Sequence, residues 1–118
     1  MTSLFADVAR DCADQPQLAG LAGDCAEIAT WMSGDASLDD KLAGSVAFCT
    51  MAAVAVAGWQ LQRQARAVGH EGGPLARSKP VVARYFAEHV AAEARGLKLS
   101  ALAGADLLYA LDAETLAG

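Results

Sequence analysis

The stretch LAGSVAFCTMAAVAVAGWQL, residues 42–61, runs for twenty residues without a charged side chain. That is the length of a membrane span. Its composition is poor for lipid, because it consists mostly of Ala, Gly, Ser, Thr and Val, with Gln60 inside it. No basic cluster flanks it at Lys41 in the manner of the positive-inside rule. We therefore predict a central helix of a soluble protein with close neighbours all round, and a small membrane protein is the alternative.

The residues on either side set the limits of this helix. Ser37, followed by Asp39 and Asp40, is an N-terminal cap signal, because the hydroxyl accepts from an orphan amide and the acids oppose the helix dipole. Gly69 is the stop signal at the other end. The prediction is a helix over residues 39–68, about 45 Å long at the usual rise per residue.

A second helical region is predicted upstream from apolar residues that recur at intervals of three and four. Its seam consists of Leu18, Leu21, Cys25, Ile28 and Met32. A similar face precedes Pro16, where the missing backbone donor predicts a break or kink. That upstream face consists of Leu4, Val8 and Cys12.

A third helix is predicted after a turn over residues 70–74, with Pro80 in its first turn and Ser78 as its candidate cap. Its apolar face is predicted to be Val82, Tyr85, Phe86, His89 and Val90. A short terminal helix is expected to fold back over the core with Leu97, Leu99, Leu102, Leu107, Leu108 and Leu111.

Composition agrees with a helical protein, since 28 of the 118 residues are Ala, the residue with the highest helix propensity. Short connections between long helices make neighbours antiparallel. The fold class predicted is all-α: one domain over residues 1–118, an up-down antiparallel bundle of three to four long helices plus a short C-terminal helix.

The overall charge and the cysteines exclude several classes of function. The net charge is −5 and the pI is near 4.8, so phosphates repel the chain and no nucleic-acid partner is expected. Cys12, Cys25 and Cys49 lack the spacing of a zinc site or a disulfide framework. The first residues lack the basic start and apolar stretch of a signal peptide, so a cytoplasmic location is expected.

The residues alone do not indicate a catalytic motif. No pattern of a nucleotide-binding loop, a metal-ligand pair or a nucleophile elbow is present in the sequence. His70 and His89 are nineteen residues apart, which is not the spacing that places two ligands on one helix face. No catalytic, cofactor-binding or metal-binding residue is therefore predicted for this chain.

One group of charges stands out, because five cations flank the turn at Gly72 with only Glu71 as a local acid. These are Arg63, Arg66, Arg77, Lys79 and Arg84. In an antiparallel helix pair they lie at one end of the bundle, where they could receive phosphates or an acidic partner. The alternative is a solvated face whose first two arginines complement the C-terminal dipole of the central helix.

Two segments carry a family resemblance. SKPVVARYFAEHV, residues 78–90, resembles the Lys-x-x-x-Ala-Arg-Phe-Tyr-x-x-His region of the C-terminal helical extension of a subfamily of bacterial acyl-CoA dehydrogenases. GWQLQRQA, residues 58–65, resembles the Gly-Trp-x-Leu-x-x-x-Ala run of the preceding helix in that extension. The positions that match are Trp59, Lys79, Arg84, Tyr85, Phe86 and His89. The chain departs from the family in the order of the two aromatic residues, and in having Ala91 and Ala92 where a proline is usual.

The resemblance implies a role beside a flavoenzyme. Members of the family oxidise acyl-CoA to 2-enoyl-CoA, with a glutamate that removes a proton and FAD that accepts a hydride. No segment of this chain resembles the flavin or glutamate regions, so FAD is implied only for the parent enzyme. The expected role is that of an accessory domain that packs on the catalytic bundle, assembles subunits or shapes the acyl-CoA entrance. The expected partners are the rest of the dehydrogenase and a second copy of the chain, and the alternative is a free-standing interaction module.

Overall fold

The computed structural model describes residues 2–69 and 71–118, and every regular element in those residues is helical. This confirms the all-α fold class. The elements in chain order are α1 (Thr2–Asp11), α2 (Pro16–Ser33), α3 (Leu38–Val68), α4 (Pro74–Tyr85), a π-helical segment (Phe86–Val90), α5 (Ala91–Arg95), α6 (Lys98–Leu102), a 3₁₀ turn (Asp106–Tyr109) and α7 (Ala113–Ala117).

The core lies between α1, α2 and the middle of α3. The predicted seam of α2 is confirmed, with four fully buried residues, Leu18, Leu21, Cys25 and Ile28. Pro16 begins α2, so the predicted break in the chain is also confirmed. In α1 the prediction of Leu4 is wrong: its side chain is 37% exposed, and Phe5 is buried instead, edge-on to Phe48 at 6.2 Å between ring centroids.

The limits of α3 differ from the prediction by one residue at the N-terminus, and the cap is as expected. The Ser37 hydroxyl accepts from the Asp40 N–H at 3.1 Å, and the Asp40 carboxylate accepts from the Ser37 N–H. The same carboxylate also accepts from the N–H of Ala105 at 2.9 Å. One side chain therefore connects the start of α3 to the segment that follows α6.

These bonds make a testable contribution to acid stability. The backbone N–H groups of Ala105 and Ser37 stabilise the carboxylate form, which lowers the pKa of Asp40 below its ordinary 3.8. Because the folded-state pKa is depressed, the stabilisation is present above the unfolded pKa and is lost as the pH falls through the folded value. Asp40→Asn should therefore flatten the fall in melting temperature below about pH 4. Thermal unfolding followed by circular dichroism measures this. Asp35→Asn, an exposed acid before the cap, is the control, and an unchanged slope in Asp40→Asn would contradict the prediction.

The expectation of close neighbours all round α3 is wrong. The helix packs against α2, α4 and α6, and a long face of it remains in solvent, where Leu42 is 63% and Val46 78% exposed. By length and composition α3 could cross a membrane, since an 18-residue window has a mean hydropathy of 1.7 and only 22% of that window is buried. One such helix is a weak indication, because helices of soluble proteins pass the same test.

The helix after the turn begins six residues before Pro80, so its predicted start is wrong. Gly72 and Gly73 have positive φ angles of 72° and 88°, which glycine adopts without strain, and Pro74 then occupies the first helical position. The helix continues through Pro80 with the loss of one backbone bond. Of the two prolines in α4, Pro74 therefore begins the helix and Pro80 lies in its interior.

The face of this helix that packs on the core differs from the prediction in part, since of the five predicted residues only Phe86 and Val90 are half-buried. Val82 and Tyr85 are 51% and 62% exposed. The buried residues are four alanines at helical spacing, Ala83, Ala87, Ala91 and Ala94. Alanines let helix backbones approach closely. Between α4 and α5 the bonding widens to a π turn, in which the Ala91 N–H donates to the Phe86 carbonyl.

The C-terminal region covers the core only as far as α6. Ala101 lies against Gly44 of α3, and Leu97 and Leu102 pack on the core. The leucines beyond this point do not cap the core as predicted: exposure is 85% for Leu107, and the others in the segment are also exposed. The closest contact of α6 with α3 is made by the small residue Ala101, while the large apolar side chains after α6 lie in solvent.

The molecule is long and thin for its size. Its radius of gyration is 17.7 Å, against about 13 Å for a compact domain of this length. Its dimensions are 63 × 32 × 16 Å, so the molecule is about four times as long as it is thick. The accessible surface is 7229 Å², about 1,200 Å² more than a compact monomer of this mass exposes.

Candidate functional site

The family-motif residue Trp59 lies where α3 passes the end of α1, beside two of the predicted cations. The Trp59 indole N–H donates to the Asp11 carboxylate at 3.0 Å. Arg66, two turns further along α3, donates to the Asp11 carbonyl at 2.6 Å and lies 4.0 Å from the Asp14 carboxylate. The Arg63 guanidinium stacks over the Trp59 ring at 5.4 Å. Arg66 therefore stabilises the C-terminal end of α1, and Arg63 packs on Trp59. Both contacts come in addition to the interaction with the C-terminal dipole of α3 that the sequence predicts.

A group of family-motif residues lies on the outer face of the third helix, across the junction of α4 and the π segment. Arg84 donates to the Glu88 carboxylate at 2.8 Å, and this bond raises the pKa of Arg84 above its ordinary value. The rings of Tyr85 and His89 lie 4.8 Å apart between centroids. All four side chains are exposed. They form a polar and aromatic surface outside the core.

Phe86 is the motif residue that points inwards, and its neighbourhood explains Gly58. A Cβ atom at Gly58 would lie 2.7 Å from Leu18 and 3.2 Å from Phe86. Gly58 thus lets α3 approach α2 and the π segment. Next to this contact, the buried Gln62 side chain donates to the Ala83 carbonyl at 2.9 Å. The role of these motif residues in the fold is close packing of the two helices.

The five predicted cations contact different groups of the chain. Lys79 donates to the Gln64 side chain at 3.0 Å and so connects α4 to α3, while Arg77 lies exposed on α4. Arg63, Arg66 and Arg84 make the contacts given above. Anion docking by this group stays a prediction. His70 of the predicted turn lies outside the described residues.

Sequence reasoning missed a charged cluster that joins α2 to α5 and α6. The Asp24 side chain is only 9% exposed, and it accepts from Arg95 at 2.8 Å and lies 3.4 Å from the Lys98 ammonium. Lys98 also contacts Glu27 at 2.7 Å, and its bond to that carboxylate raises the pKa of Lys98. Gly20 leaves the space that the Arg95 guanidinium occupies. The sequence signal that could have indicated this cluster is Asp24 itself, an acid next to Cys25 of the apolar seam of α2.

The grooves and thiols of the described residues offer little chemistry. A shallow groove of about 580 Å³ lies beside Trp31 and Thr30, and a second of about 280 Å³ lies between Val54 and Leu97. Burial raises the pKa of the Cys25 thiol to about 12 and raises that of Cys12, so both stay protonated at neutral pH. Among residues 2–69 and 71–118, no three His, Cys, Asp or Glu side chains are grouped to hold a metal.

The geometry is that of a small helical domain whose motif residues serve packing and an exposed polar surface. A family model described as acetyl-CoA dehydrogenase C-terminal like matches residues 4–112. The chain belongs to this family, which confirms the resemblance read from the two motifs. No curated protein and no solved structure matches the chain.

Proposed function

We propose that the chain is a non-catalytic accessory domain of an FAD-dependent acyl-CoA dehydrogenase that oxidises acyl-CoA to 2-enoyl-CoA, and that it works in the cytoplasm. It packs against the catalytic part of the enzyme, whether both belong to one polypeptide or to two. Membership of the family over residues 4–112 supports the association with such an enzyme.

The observation that carries the packing role is the exposed apolar segment after α6. Five large apolar side chains within about ten residues are between 54% and 85% exposed, namely Leu107, Leu108, Tyr109, Leu111 and Leu116. Large apolar side chains that are exposed so close together in the chain are expected where a partner covers the surface. Asp40 fixes the beginning of the segment through its bond to Ala105. We name residues 107–116 the C-terminal apolar segment.

Flavin belongs to the catalytic part in this proposal. The glycine pair Gly72-Gly73 is followed by Pro74 at the first position of α4. A proline has no backbone N–H, so the turn lacks one of the donors that a helix N-terminus offers to phosphate. A titration of the isolated chain with FAD, followed by flavin fluorescence, tests this assignment. Stoichiometric tight binding would contradict it.

Replacing Leu107 and Leu111 together by Asp should release the chain from the dehydrogenase. The reading frame upstream of codon 1 decides the form of the test. If the frame continues into a dehydrogenase, the intact polypeptide is tested. If it does not, the chain is co-expressed with the dehydrogenases of the same genome. In co-expression, the wild-type chain should elute with a flavin-containing protein that oxidises acyl-CoA. The double variant should bind at least tenfold more weakly, because two leucines that the partner would bury are replaced by charges.

The matched control is Leu75→Asp, since Leu75 is 59% exposed in the first turn of α4, where an acid suits the helix dipole. In a continuous polypeptide the readout is the protease sensitivity of the terminal domain, which the double variant should raise and the control should not. Equal behaviour of the double variant and the control would sink the proposed packing. A complex that contains no flavoprotein would favour the free-standing interaction module.

A further inference from the structure

The solvent face of α3 carries an unbroken heptad stripe. Its apolar positions follow one another at intervals of four, three, four and three residues, which is the a/d spacing of a coiled coil. They are Leu42, Val46, Cys49, Ala53 and Val56. The first four are exposed and the last is half-buried. No helix of the described chain covers this face, which we name the α3 stripe.

The charges at the two ends of the α3 stripe are opposite. Three residues before Leu42 is Asp39, in the first turn of α3, and seven residues after Val56 is Arg63, in the last third of the helix, so both continue the spacing of the stripe. Both side chains are exposed. An identical helix laid antiparallel across the stripe brings Asp39 opposite Arg63 of the second copy, and the reverse pair forms at the other end.

The same register aligns the apolar layers in the middle of the stripe. With the two-fold axis at the level of Met51, Val46 faces Val56 of the second copy and Cys49 faces its Ala53, while Leu42 faces the exposed Gln60 beside the charged pair. Each layer then pairs an a position with a d position, as antiparallel coiled coils do. The contact extends over about 36 Å of helix, and the helix dipoles oppose each other favourably. A shifted register would separate the charges.

The accessible surface of the chain is large enough to include an interface with a second copy. The chain exposes about 1,200 Å² more than a compact monomer, and a standard interface covers about 800 Å² on each partner. The buried residues of α3 recur at intervals of three and four, so the helix packs on the rest of the chain with one face only. A second copy on the α3 stripe would cover the opposite face.

We propose that two copies of this chain associate through the α3 stripe as an antiparallel two-fold pair, held in register by Asp39 and Arg63. The proposal rests on the accessory role proposed above and adds a second copy of the chain as a partner, on a different surface from the C-terminal apolar segment. The symmetry makes the interface self-complementary, which is usual for homodimers.

A charge swap tests the register. Sedimentation equilibrium of the full chain gives the dimer dissociation constant. Arg63→Glu should weaken the dimer about tenfold, because two attractive pairs become two repulsive ones. Adding Asp39→Arg to that variant should restore the wild-type value, since opposite charges face each other again. Arg77→Glu, an exposed cation off the stripe, is the matched control and should leave the constant unchanged.

A second variant tests the apolar layers. Val46 is 78% exposed, so Val46→Glu leaves the monomer folded, and circular dichroism checks this. It should weaken the dimer at least a hundredfold, because two glutamates would be buried against Val56. Dimerisation should also slow the reaction of Cys49 with a thiol reagent in the wild type but not in Val46→Glu. Cys49 reports on the stripe because Cys12 and Cys25 are buried.

The outcomes separate this proposal from its rivals. A wild-type chain that stays monomeric at high concentration, or a Val46→Glu variant that still dimerises, overturns it. Transfer of the wild-type chain to neutral phospholipid vesicles, lost in Val46→Glu, also overturns it, in favour of a membrane surface. The Leu107/Leu111 double variant distinguishes the two proposals, since it should lose the dehydrogenase and keep the dimer.

Discussion

Gly44→Ala should destabilise the chain by about 3 kcal/mol, the upper part of the range for overpacking a tight contact. The added Cβ would collide with the carbonyl oxygen of Ala101 and lie 3.1 Å from its carbonyl carbon. Both are backbone atoms of α6, so no side-chain rotation relieves the contact. The whole of α6 must move away from α3, and Leu102 leaves the core with it.

Gly23→Ala is the matched control for this substitution. Gly23 lies on the exposed face of α2, and a Cβ there meets nothing within 4 Å. The control should stabilise the chain by up to about 1 kcal/mol, because alanine has the better helix propensity. Urea unfolding of both variants measures the difference. A Gly44→Ala variant as stable as the wild type would show that α6 does not pack closely on α3.

Asp24→Ala should have the second largest effect, a loss of about 2 kcal/mol. Removing one partner of a buried ion pair typically costs about 3–5 kcal/mol, because the remaining charge loses its counter-ion without regaining water. Here the Arg95 and Lys98 side chains are 37% and 30% exposed and can be partly rehydrated, which reduces the cost. The loss of stability should appear first in α5 and α6, since Arg95 lies in α5 and Lys98 lies in α6.

The control for Asp24 is Glu27→Ala, which removes a carboxylate that contacts the same lysine. The Glu27 side chain is 67% exposed, so its pair with Lys98 should contribute less than about 0.5 kcal/mol. Hydrogen exchange resolves the effect along the chain, with faster exchange over residues 91–102 expected for Asp24→Ala only. Equal losses in the two variants would show that burial of Asp24 has no energetic consequence.

The features that local signals specify were predicted well. The limits of α3 follow from Ser37, Asp40 and Gly69, since a cap is defined by residues within one turn. The seam of α2 follows from its spacing. The start of α4 was predicted wrongly because the local signal is ambiguous, since Pro74 and Pro80 are both compatible with a first helical turn. The positive φ angles of Gly72 and Gly73 show that the helix begins at Pro74.

What local patterns could not predict are the contacts between distant residues. Trp59 and Asp11 are 48 residues apart, and Arg95 and Asp24 are 71 apart. The packing face of the third helix was wrong at Val82 and Tyr85, because large apolar residues were expected to be buried. Closest approach of two helices selects small ones instead, such as Ala83, and leaves Val82 in solvent.

The π turn at residues 86–90 alters the phase of the helix that contains it. A bond to the fifth residue back accommodates one residue more than an α turn, so every later side chain lies about 100° from where an uninterrupted α-helix would carry it. Arg95 and Ala94 owe their direction to that single extra residue. The segment therefore acts as a rotational offset: Arg84 and Tyr85 before it and the charged contacts with α2 after it are oriented independently, although one continuous helix carries both.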